Sequence, residues 1–181
     1  MKILEAEPSD LPSFFEYLGV QLLDNASDDT PLFQPIAKKY CHITPELEMK
    51  FRDGFESRVG EPSWRKLWVA KDSNGDIRGH IDLRHHSGEY RSHRVLLGMG
   101  VDTSVRKRGV GGKLVEVVTQ FCLGSEGIDW LDLNVLSNNL PAKNLYLKCG
   151  FMIIGEMADC YRIDGVSVPE LTMALRTKGE G

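Results

Sequence analysis

Residues 95–121 read VLLGMGVDTSVRKRGVGGKLVEVVTQF. An apolar run passes straight into a turn with four cations and three glycines in nine positions (105–113). After the turn, Val110, Leu114, Val117, Val118 and Phe121 recur at helical spacing. A strand, a glycine-rich turn and an amphipathic helix in direct succession confine this part of the chain to an α/β architecture. They also make an anion site. The first N–H groups of a helix have no internal partner and point outward together, and the helix dipole adds about half a positive charge there. Gly109, Gly111 and Gly112 remove side chains that would block a phosphate, while Arg106, Lys107 and Arg108 form the densest basic cluster of the chain.

Spacing excludes two familiar phosphate loops. GxxxxGK[ST] fails because Lys113 is followed by Leu114 and no glycine stands five before Gly112, and GxGxxG is absent. The charge is local as well. A net charge of −4 excludes a general nucleic-acid binder.

Around this unit the patterning alternates. KILEA (2–6) reads as a strand, followed by a helix cap at Pro8-Ser9-Asp10 and a helical stripe of Leu11, Phe14, Phe15, Leu18 and Leu22. Residues 24–35 are a loop by composition, with Phe33 its conspicuous apolar residue, and Thr44-Pro45-Glu46 opens a second helix to about Ser57. KLWVAKD and IRGHIDLR form a hairpin across SNGD; WLDLNVL is a strand, Pro141 to Lys148 a short helix, and residues 151–176 a closing hairpin. The order β-α-α-β-β-β-α-β-α-β-β predicts one mixed α/β domain over residues 1–181, not a Rossmann repeat. With 41% hydrophobic and 27% charged residues the chain is globular. No apolar stretch reaches the length of a membrane span, and MKILEAEPSD lacks the form of a signal peptide. Four cysteines without CxxC spacing read as reduced thiols of a cytoplasmic protein, and the five histidines show no metal spacing, so no metal is expected.

Arg106-Lys107-Arg108-Gly109-Val110-Gly111 fits [RQ]xxGxG, and NNLPAKNLYLKCGF downstream fits NxxAxxLYxxxGF, with Asn139, Ala142, Leu145, Tyr146, Gly150 and Phe151 in register. Together these segments resemble the GCN5-related N-acetyltransferases, the GNAT superfamily. The resemblance implies a mixed sheet of about seven strands flanked by about four helices. It implies acetyl-CoA as donor and a small-molecule or peptide amine as acceptor, with no nucleic acid or membrane partner. Backbone groups from Lys107 to Gly112 would hold the pyrophosphate, and those of Met99, Gly100 and Val101 the pantetheine arm. Asn139 and Ala142 would anchor the cofactor, and the Tyr146 hydroxyl would protonate the departing thiolate. Dimers are common in the superfamily, which leaves a homodimer open.

One catalytic part is missing. Many relatives place a glutamate as base in the fourth or fifth strand; Val95 and Asn134 stand there. Asp132, Asp82 and His80 are the substitutes that strand parity offers, acting through water. Without an efficient base the alternative is a catalytically weak acyl-CoA-binding sensor. The acidic residues Asp24, Asp28 and Asp29 could attract a cationic amine or simply form a solvated loop.

Overall fold

A computed structural model describes residues 1–25, 27 and 32–178; Asp28 and Asp29 lie outside the described residues. The elements follow the predicted order: β1 (Lys2–Glu5), α1 (Leu11–Asn25), α2 (Pro45–Glu56), β2 (Arg65–Lys71), β3 (Ile77–His85), β4 (Arg94–Val101), α3 (Val110–Gly124), β5 (Trp130–Leu136), α4 (Leu140–Lys148), β6 (Met152–Ile163) and β7 (Val166–Arg176). Thr44 caps α2, its hydroxyl accepting from Leu47 N–H at 3.3 Å with Pro45 at the first position. The start of α1 differs from the sequence reading. Pro8–Asp10 is a 3-10 turn leading into the helix, and Glu7 is the cap, its N–H donating to the Asp10 carboxylate at 3.0 Å.

The seven strands form one sheet in the order β1-β2-β3-β4-β5-β7-β6. Every neighbouring pair is antiparallel except β4 and β5. That parallel pair is joined at only three positions, Arg94↔Trp130, Val95↔Leu131 and Leu96↔Asp132. Beyond Leu96 each strand keeps its outer neighbour, β3 for β4 and β7 for β5, and the two part. Backbone groups of alternate residues on the inner edges then face a gap rather than a ladder partner.

Strand alternation sorts the core onto two faces. Ile81, Leu83, Val95, Leu97, Leu131 and Leu133 meet Leu114, Val118 and Cys122 of α3 and Tyr146 of α4. On the opposite face Leu67 and Val69 meet Phe14, Phe15 and Leu18 of α1 and Phe51 of α2, with Phe14 and Phe51 edge to face at 4.9 Å. All four cysteines hold free thiols, and no helix among the described residues is long and apolar enough to cross a membrane.

The last residue of α1 fixes the segment after it. Asn25 is fully buried; its side-chain oxygen accepts from the N–H groups of Phe33 (2.8 Å) and Gln34 (2.9 Å), and its amide nitrogen donates to Gln34 O and the Cys41 sulfur. Asn25→Ala leaves two backbone donors without an acceptor. We expect a loss of roughly 2 kcal/mol in urea unfolding and faster hydrogen exchange at the Phe33 and Gln34 amides. Unchanged exchange at both would show that the asparagine does not hold this segment.

Candidate active site

The parting of β4 and β5 opens a cleft of about 250 Å³ in the middle of the sheet. Its walls are β4 at residues 97–99, β5 at residues 134–136, and Asn139, Ala142 and Tyr146 at and within α4. Phe33, Gln34 and Pro35 close one side, and Arg84 of β3, Tyr161 of β6 and Glu170 of β7 complete it.

The start of α3 abuts the same walls. Gly109 precedes the helix with φ 79°, a left-handed conformation that favours glycine, and Lys107 takes φ 61°. Lys113 N–H bonds Gly109 O at 3.2 Å, so the N–H groups of Val110, Gly111 and Gly112 precede the first internal helix bond. Arg106, Lys107 and Arg108 are exposed, and Arg106 Nε donates to Val101 O at 3.0 Å, tying the turn to the end of β4. Such a terminus can hold a diphosphate.

The three glycines differ in their surroundings. A Cβ on Gly111 would lie 2.7 Å from Leu145 Cδ2 and 3.7 Å from Met99 Cε. The bare Gly111 therefore lets α3 pack closely on α4 and β4. Space above Gly112 is open, and Gly109 serves the turn.

Tyr146 is buried yet lines the cleft, its ring edge-on to Phe151 at 5.6 Å. Burial, and then the neighbouring Cys149, push its phenol well above the usual range, so it stays protonated and can donate. Asn139 does cap a helix, its side-chain oxygen accepting from Ala142 N–H at 3.3 Å, and it lines the cleft as well. Met99 lines the cleft; Gly100 and Val101 lie beyond its lining.

None of the three substitute bases lines the cleft, and each is engaged elsewhere. Asp132 is gripped by the fork of Arg94, with Nε at 2.7 Å, and by His86 Nε2 at 2.8 Å. Asp82 accepts from Arg84 at 3.0 Å, with Arg65 at 3.8 Å. His80 sits between the Phe14 and Tyr17 rings at 5.2 and 5.5 Å, and burial lowers its pKa to about 4. Parity was read correctly, since all three share the face of α1 and α2. The depth of side chains above that face was not legible.

Four polar cleft residues escaped the sequence reading: Gln34, Arg84, Tyr161 and Glu170. Arg84 shares its strand face with His80 and Asp82, a signal that IRGHIDLR contained. Glu170 faces the cleft because β7 pairs with β5 in the register Leu136↔Glu170, and Tyr161 joins it by donating its hydroxyl at 2.9 Å. No local pattern announces a partner nine residues away across a hairpin. Among the described residues no group of three or more His, Cys, Asp or Glu could hold a metal.

Residues 63–153 match the family model described as an acetyltransferase (GNAT) domain, half of the chain. This chain belongs to the GNAT acetyltransferase family. The L-amino acid N-acetyltransferase AaaT of Escherichia coli K12 is 33% identical over 100 residues, 55% of this chain and 60% of that protein. The mycothiol acetyltransferase of Clavibacter michiganensis is 27% identical over 135 residues, 74% of this chain and 42% of that one. The chain thus spans less than two thirds of these relatives. The crystal structure of a phosphinothricin acetyltransferase from Sinorhizobium meliloti in complex with AcCoA superposes with a TM-score of 0.75 at 16% identity, covering 97% of this chain and 87% of that one. The seven-stranded sheet with four helices is the GNAT fold.

In this GNAT domain the buried His80 gives a pH dependence of stability. Its folded pKa of about 4 lies below an unfolded value of about 6.5, so between these pH values the unfolded chain binds the extra proton. Its contribution is complete above about pH 6.5, falls by up to about 3 kcal/mol toward pH 4, and changes no further below. His80→Gln should flatten the urea-midpoint profile across that window. A profile as steep as the parent's would mean that other groups cause the acid loss.

Proposed function

We propose that this GNAT domain is an N-acetyltransferase that moves the acetyl group of acetyl-CoA directly to a primary amine in a ternary complex. The observation that carries this reading is the convergence at the β4–β5 gap: an unpaired strand edge and the Tyr146 phenol bound one opening, and the start of α3 packs at Gly111 beside Met99 of that edge. Residues 106–112 hold the diphosphate through backbone N–H groups and local cations. The freed edge of β4 near Met99 pairs with the pantetheine amides like an added strand. Asn139 and Ala142 border the arm. The S. meliloti neighbour in complex with AcCoA supports the donor, and the E. coli relative, named for L-amino acids, supports a small amine acceptor.

In the transfer step the acceptor ammonium first loses a proton to solvent water. The neutral nitrogen attacks the thioester carbonyl carbon, the N–C bond forms and the C–S bond breaks. Tyr146 gives its proton to the departing sulfur, and the second proton on nitrogen restores the phenol. A phenol held protonated by burial suits this donor role, worth roughly a hundredfold.

Two measurements test the reading. Tyr146→Phe should leave CoA affinity and stability little changed while single-turnover acetylation slows about a hundredfold; parent-like turnover would make the tyrosine a core residue. Gly112→Asp puts a carboxylate at the start of α3, where it suits the helix dipole but repels a diphosphate. The variant should fold and bind CoA and desulfo-CoA at least tenfold more weakly. Equal affinity would show that the diphosphate lies elsewhere. Cofactor binding without thiol release against a broad amine panel would mark a sensor instead.

A further inference from the structure

The cleft is electrically asymmetric. Its lining contains one cation and one anion among the described residues, Arg84 and Glu170. Arg84 belongs to a wall in which two guanidiniums share one carboxylate: Asp82 meets Arg84 at 3.0 Å and Arg65 at 3.8 Å. Arg65 is largely buried against the Phe51 ring at 4.3 Å, whereas about a third of the Arg84 side chain is exposed. That wall therefore holds a surplus positive charge at Arg84. Gly98 opens it toward the β4–β5 gap. A Cβ there would lie 2.6 Å from Asp82 Oδ1 and 3.0 Å from Arg84 Nη1, so a bare backbone is what lets the guanidinium lie beside β4. Across the gap Glu170 accepts from two neutral donors, the Tyr161 hydroxyl at 2.9 Å and the Cys160 thiol at 3.9 Å. That wall holds a surplus negative charge. The two surpluses are not spent on each other, because β4 and β5 stand between β3 and β7 in the sheet.

We infer that Arg84 and Glu170 are the specificity residues of the acceptor site and select a zwitterion, a free amino acid held by its carboxylate at Arg84 and attracted by its ammonium toward Glu170. The inference deepens the acetyltransferase reading and rests on it for which site this is. Planar guanidinium forks favour carboxylates over neutral amides. Losing a polar group that a buried partner expects costs a ligand far more than losing a methylene.

Calorimetry separates this inference from turnover. The parent, with desulfo-CoA present and with it absent, is titrated with the protein L-amino acids, their carboxamides and their Nα-acetyl derivatives. At least one amino acid should bind ten or more times more tightly than its carboxamide, and the Nα-acetyl compound should bind more weakly still. Arg84→Gln should bring the acid down to the level of the carboxamide, and Arg84→Lys should restore part of the preference. Glu170→Gln should weaken acid and carboxamide alike while keeping the ratio between them. Thermal midpoints near the parent's show that each variant is folded. No acid preference in the parent, or a preference that survives in folded Arg84→Gln, overturns the inference whether or not any amine is acetylated. The expected binding pattern with no thiol released from acetyl-CoA would instead sink the acetyltransferase reading and leave the zwitterion site standing.

Discussion

The short pairing of β4 with β5 is the constraint on which this structure depends. Three residue pairs hold the strands together, and the rest of each strand is committed to its outer neighbour. A sheet that parts in its middle exposes backbone donors and acceptors away from both solvent-facing edges, and such groups must find partners. Under the proposed function, a ligand with its own amides, entering as a strand, would satisfy them. The gap is therefore a cleft, and side chains from both faces of the sheet close its ends.

Those ends are built from opposite faces. On the face of α3 and α4 the walls are apolar and buried, and the same burial that packs Tyr146 against Phe151 holds its phenol protonated. On the face of α1 and α2 the sheet is polar near the gap, with Asp82, Asp132, Arg94 and Arg84 in paired contacts. Gly98 and Gly100 make that possible. A side chain at either would strike Asp82 or His80, so the two bare positions of β4 leave room for the longer side chains of β3. The buried carboxylates are paired with arginines, Asp132 with the fork of Arg94 and Asp82 with Arg84 and Arg65.

Much of this was legible in the chain. The elements and their order followed from hydrophobic period, proline and glycine position, and cap residues, because those signals act within a few residues of one another. The strand, cationic turn and helix of 95–121 predicted an anion site at one sheet end, and α3 begins there. Asn139, which the family resemblance assigns to the cofactor side, lines the cleft and also caps α4. The packing of Gly111 against Leu145 was not legible, because the two lie 34 residues apart.

Sequence by itself determined which residues are apolar, where α2 and α3 begin and which strand faces share a side, because these depend on local period and backbone preference. Tertiary structure alone decided which polar residues reach the cleft. His80, Asp82 and Arg84 have the same parity, yet α1 covers the first, arginines enclose the second, and only the third opens onto the gap. Glu170 joins them from the far end of the chain through the register of β7 on β5. That register is set by long-range pairing and by what the rest of the sheet buries, and a single strand's alternation holds no record of it.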